Sequence, residues 1–145
     1  MDATAAAKTT GDLLQELKDT AHIRDYMKTN EPDLITTDFA GELKRLFDGQ
    51  GRKKAEIARE AGISDIYLYQ IFSGKRVPTR DRLICICMGM LLSMEDTQRL
   101  LRLCGHAQLY ARDRRDAVML HGLLHRESLQ EVNAQLFSNG LEPLL

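Results

Sequence analysis

The 145 residues suit one compact domain or a small domain with appended helices, and an apolar content of 43% is enough to build a core. Charged residues make up 28% and the formal net charge is −1, so the chain as a whole carries no basic signal for nucleic acid. Three cysteines, Cys85, Cys87 and Cys104, cannot all pair, and Cys85-x-Cys87 is not a zinc spacing. They read as buried thiols of a reducing, cytoplasmic compartment. No segment reaches transmembrane length, and Met1-Asp2-Ala3-Thr4 lacks the basic start of a signal peptide.

Charge is unevenly distributed. Residues 1–36 hold 4 basic against 7 acidic side chains, residues 37–104 hold 12 against 9, and residues 105–145 hold 4 against 5. Only the centre is cationic. Strand-like alternation is nearly absent, so the chain reads as all-α.

In chain order, residues 1–10 form a polar tail, and 11–28 reads as one amphipathic helix with Leu13, Leu14, Leu17, Ala21 and Tyr26 near one face. Asn30-Glu31-Pro32-Asp33 breaks it. Thr36 or Thr37 is expected to cap a helix carrying Phe39, Leu43, Leu46 and Phe47, which stops at 48–51. A helix over 53–61 places Ala55, Ile57, Ala58 and Ala61 together. Gly62 then permits a sharp turn, and Ser64 caps a helix over 65–72 whose Tyr67, Leu68 and Ile71 point inward. Ser73-Gly74-Lys75 stops it. Val77-Pro78-Thr79 opens a helix over 80–91, and Ser93 with Asp96 makes a capping-box pattern for a helix ending at Cys104-Gly105. Two more helices are expected, over 108–125 and 128–137.

The informative run is Ile57-Ala58, Gly62-Ile63-Ser64, Leu68, Gln70-Ile71 and Gly74-Lys75-Arg76, continued by Pro78-Thr79, Leu83-Ile84, Ile86 and Ser93. A small residue, a turn glycine, an aliphatic plug, a cap and two core anchors at fixed offsets let two short helices cross steeply, with one face of the second left free. At these residues the chain resembles the phage-repressor and Cro helix-turn-helix proteins, the XRE-type regulators, over about 37–104.

The resemblance implies a five-helix lambda-repressor-like domain at 37–104; the helical pattern outside it adds an N-terminal tail and accessory helix over 1–36 and a C-terminal helical extension over 105–145, expected to pack on the same core. It implies a double-stranded DNA partner, with Asp65, Ile66, Tyr69 and Gln70 facing bases and Lys53, Lys54, Ser64, Ser73, Lys75 and Arg76 near phosphates. The chemistry agrees: glutamine pairs with adenine, a carboxylate accepts from cytosine N4, and an aliphatic meets a thymine methyl. Tyr67 reads as core rather than base-stacking, and Tyr69 fits either.

Departures from the family pattern carry expectations of their own. Residues 65–72 hold no Lys or Arg, and Phe72 stands where a polar residue is usual. Cys85 and Met88 stand where exposed lysine is common, and Leu91 replaces a common glycine. That face of the fourth helix should therefore be covered, by the N-terminal helix or by the C-terminal pair.

The remaining motifs are weaker. His121 and His125 share a metal-compatible spacing without a third ligand, so no metal is expected, and intrahelical ion pairs with Asp113 and Asp116 explain Arg112, Arg114 and Arg115 as well as contact with DNA does. No catalytic motif and no cofactor-binding motif occurs, so the chain is read as a non-enzyme. The leading function is a cytoplasmic transcriptional regulator that binds operator DNA, with a homodimer through the terminal helices as a possible assembly. The alternative is an adaptor that has turned the same fold to a protein partner.

Overall fold

Side-chain oxygens one residue before the first turn start most of the helices of this chain, each accepting an otherwise unpaired backbone N–H. In the computed structural model, residues 8–34 and 38–144 are described, and all regular structure among them is helical. The helices are α1 (Thr10–Asp19), α2 (Ile23–Thr29), α3 (Phe39–Asp48), α4 (Lys54–Ala61), α5 (Asp65–Phe72), α6 (Arg80–Gly89), α7 (Met94–Leu103), α8 (Arg114–Leu124) and α9 (Leu129–Ser138). They fall into two compact units, Met1–Thr36 and Thr37–Leu145.

In the first unit the single helix expected over 11–28 is two. Thr20 ends α1 in an extended conformation, and both its backbone N–H and its hydroxyl donate to the Glu16 carbonyl. Lys8 Nζ lies 2.6 Å from Glu16 Oε1 and 2.6 Å from Asn30 Oδ1, and Asn30 Nδ2 donates to Glu16 Oε2 at 2.7 Å. These bonds satisfy an asparagine that is wholly buried. Leu14, Leu17, Ile23 and Met27 remain exposed.

The second unit holds the five central helices, α3–α7, and the α8–α9 pair in one core. It runs from Leu43 through Ile57, Leu68, Ile71, Leu83, Ile86 and Leu100 to Met119, Val132, Leu136 and Leu144. Asp38, not Thr36 or Thr37, caps α3; the two threonines lie outside the described residues. Ser93 accepts from Asp96 N, but the reciprocal half of the expected capping box is missing, because the Asp96 carboxylate turns to Arg99.

Helices α4 and α6 share the most extensive helix contact of the unit. A Cβ at Gly89 would sit 3.0 Å from the Ile57 carbonyl oxygen and 3.1 Å from Ala61 N and Cβ. Arg52 and Gln50 add hydrogen bonds to the Gly89 and Met90 carbonyls, the orphan acceptors at the end of α6.

The apolar face of α6 is covered as the sequence requires. Cys85 is 1% and Met88 3% exposed, and α9 packs on α6. Burial pushes the Cys87 thiol up to about 12 and those of Cys85 and Cys104 up to about 11. Cys85 and Cys87 are buried, whereas Cys104 is half-buried. Helix α6 ends at Gly89 rather than 91, because Leu91 takes the left-handed conformation (φ 56°) that a glycine usually supplies.

The helix expected over 108–125 starts only at Arg114. Leu109 exchanges both its backbone groups with the Gln98 side chain, Tyr110 N donates to Asp116, and Asp113 caps α8. The pairing expected within 112–116 is instead made across to α6. Arg80 forms two bonds to Asp116 at 2.9 and 3.0 Å, and Arg115 forms two to Asp81 at 2.9 Å. Neighbours on one helix end thus exchange opposite charges with neighbours on the other.

Buried Glu42 on α3 bridges Arg45 at 2.7 Å and Arg99 of α7 at 2.8 Å. The Arg45 hydrogen bond, with that of Arg99, outweighs burial and lowers its carboxyl from 4.5 to about 2. A depressed carboxyl stabilises the fold above its unfolded pKa, and that contribution disappears as pH falls through the folded one. Glu42→Gln should therefore cost about 1–3 kcal/mol at neutral pH. The gap to wild type should close between pH 4.5 and about 2, read as paired melting curves. Gly89→Ala should destabilise by about 1–3 kcal/mol in urea titration, because backbone atoms of α4 line the space the methyl would fill.

Candidate nucleic-acid interface

Gly62 sets the geometry of the helix pair. It takes φ 69° and ψ 30°, Gly62 N donates to the Arg59 carbonyl, and Ile63 N donates to that of Ala58, closing α4 and reversing the chain in a left-handed step. Ile63 is half-buried against the core, and Ser64 Oγ accepts from Tyr67 N at 3.1 Å to open α5. Leu68 and Ile71 are fully buried and fix α5 from below. A Cβ at Gly62 would meet Leu129 Cδ2 of α9 at 3.6 Å, so the C-terminal helix buttresses the turn from behind.

The opposite face of α5 is open. Asp65 is exposed, Ile66 is 71% exposed, Tyr69 is 59% exposed and Gln70 is half-buried. These four residues share one short helix and one uncovered side of the second unit. Around them stand the other six sequence-expected residues. Lys53 is exposed just before α4; Lys75 and Arg76 are exposed after α5, where their backbone N–H groups bond to the Gln70 carbonyl at 2.9 and 3.2 Å. None of these three cations makes an ion pair among the described residues. Ser64 uses its oxygen as a cap and keeps its hydroxyl proton, whereas Ser73 spends its proton on the Gln70 carbonyl at 3.1 Å.

Lys54 is placed differently from its neighbours. Its ammonium lies 4.9 Å from the Phe72 ring, 5.0 Å from Tyr69 and 5.5 Å from Phe47. Phe47 and Phe72 meet edge to face at 5.2 Å. The aromatic residue at 72, unusual for the family pattern, is thereby explained: it completes a box in which one cation ties α3, α4 and α5 together. Tyr67 is half-buried, with the guanidinium groups of Arg76 and Arg82 5.6 and 5.8 Å from its ring. Sequence reasoning missed both clusters. Phe72 was the only available signal for the first, and Arg82 gave none for the second.

The histidines lie elsewhere. The rings of His121 on α8 and of His125, its C-cap, lie 4.2 Å apart and tilted by 32°, and among the described residues no group of three or more His, Cys, Asp or Glu is placed to hold a metal. No helix among those residues is long and apolar enough to cross a membrane.

The surface offers what a major groove requires: a helix with side chains for base edges, bordered by cations for the backbone. No curated protein and no solved structure matches the chain. Residues 43–87 match the family model described as Helix-turn-helix, and that stretch spans the C-terminal part of α3, all of α4 and α5, and most of α6. Residues 43–87 are therefore similar to a helix-turn-helix domain, in keeping with the resemblance to the phage-repressor and Cro type that the sequence carries there.

Proposed function

We propose that this protein is a sequence-specific double-stranded DNA-binding transcriptional regulator that lays α5 in the major groove and works in the cytoplasm. The observation that carries the reading is the uncovered outer face of α5, with Ile66 and Tyr69 standing in solvent. In this reading Asp65, Ile66, Tyr69 and Gln70 face bases. Lys53, Lys75 and Arg76 grip phosphates, with Ser64 donating its hydroxyl. Lys54 and Ser73 reach a phosphate only by giving up their present partners.

A helix of eight residues reads only a few base pairs. A homodimer would add a second half-site one helical turn away, and the terminal helices are the proposed contact. The adaptor reading draws on the same exposed apolar residues. It is the weaker of the two, because Lys53, Lys75 and Arg76, which form no ion pair among the described residues, border them.

Titrating duplexes selected from a random pool against unselected duplexes, at several salt concentrations, separates the readings. The regulator reading predicts a log–log salt slope of about −0.9 per neutralised phosphate, and the adaptor reading predicts no binding at low salt. Lys75→Ala should weaken selected and unselected duplexes alike and make the slope shallower by about 0.9. Gln70→Ala should cost about 1–3 kcal/mol on the selected duplex and little on the others.

A further inference from the structure

The groove-facing side of α5 lacks the commonest specific reader of DNA. Guanine is ordinarily read by arginine or lysine on O6 and N7, and residues 65–72 contain neither. The nearby cations do not make up for this. Lys54 is held among Phe47, Tyr69 and Phe72, while the guanidinium groups of Arg76 and Arg82 border the Tyr67 ring. What α5 presents instead is apolar. Ile66 and Tyr69 stand three residues apart, hence on one face of the helix, 71% and 59% exposed. Tyr69 is held in place by the Lys54 ammonium, 5.0 Å from its ring.

Aliphatic and aromatic surface gains by leaving water. On the floor of the major groove the one apolar group is the C5 methyl of thymine. Lys53 and Lys75 supply the positive border that a polyanion needs and that a merely apolar partner does not. We propose that Ile66 and Tyr69 form a methyl-reading surface, so that the target duplex is thymine-rich and recognised through its C5 methyls. Gln70 beside them supplies the polar contact to adenine. This inference rests on the DNA-binding reading above and adds the chemical class of the target.

The test uses the full chain and the tightest duplex selected from a random pool. Each thymine is replaced singly by deoxyuridine, which keeps every hydrogen-bonding group and removes only the methyl. Affinity is read by fluorescence anisotropy at one salt concentration. At the contacted positions each replacement should weaken binding about 3–5-fold, the worth of one buried methyl. 5-Methylcytosine should bind better than cytosine at the same positions. Ile66→Ala should abolish the deoxyuridine penalty at one position and Tyr69→Ala at another, with the salt slope unchanged. Ile66 is 71% exposed, so Ile66→Ala should melt as wild type does; Tyr69→Ala also removes one ring of the Lys54 box, so its binding is read well below that variant's own melting onset. A duplex that tolerates deoxyuridine throughout, or a selected site built of G·C pairs, would overturn the methyl-reading surface and leave DNA binding standing. Failure to bind any duplex at low salt would overturn both, and would assign Ile66 and Tyr69 to a protein partner.

Discussion

The second unit is organised by how closely α4 can lie on α6. The carbonyl of Ile57 and the backbone of Ala61 make residue 89 too tight for a Cβ unless α4 gives way by a few tenths of an ångström, and Ala58 and Ala61 are both buried. That contact fixes the direction of α4 down to its last residue. Gly62 follows at once, and its left-handed backbone converts the fixed direction of α4 into a fixed direction for α5. Leu68 and Ile71 then need only face inward to turn Asp65, Ile66 and Tyr69 outward. A surface able to meet a groove is thus a consequence of packing at the far end of a neighbouring helix.

Support reaches α5 from two more directions. Leu129 of α9 lies against the turn, and the paired exchange between Arg80–Asp81 and Arg115–Asp116 locks α8 to the start of α6, just after the loop that holds Lys75 and Arg76. Ion pairs of this kind, formed by two-pronged arginine contacts at half-buried positions, fix orientation more than they add stability. The Lys54 box acts on the other side, joining α3 and α4 to the outer ring of α5. A helix as short as α5 has little stability of its own, so its orientation depends on these neighbours.

Much of this arrangement could be read from the residues, for a local reason. Helix α5 has the expected bounds because Gly62, Ser64 and Ser73-Gly74 act within a few positions of the residues they control. The cover over Cys85 and Met88 was also legible, since apolar residues on a normally wet face demand a partner, although either terminal segment could have supplied it. What failed was non-local. The stretch before Arg114 carries helix-compatible residues, but Gln98 and Asp116 claim its backbone from other parts of the fold. The ion pairs of Arg115 and Asp116 went to α6 because distance in space, not spacing in sequence, chooses a partner. The resemblance places Lys54 at a position for the DNA backbone, a reading that still stands, while the rings around it become visible only where three helices meet.

The central claim is that the outer side of α5 and its bordering loops are the surface that meets DNA. The most direct measurement is an amide chemical-shift map of the isotopically labelled chain, recorded with and without a bound duplex. The account predicts the largest changes at residues 53–54 and 64–76, with α8 and α9 little altered. Changes confined to α8 and α9, with the amides of Asp65 to Phe72 unmoved, would contradict it.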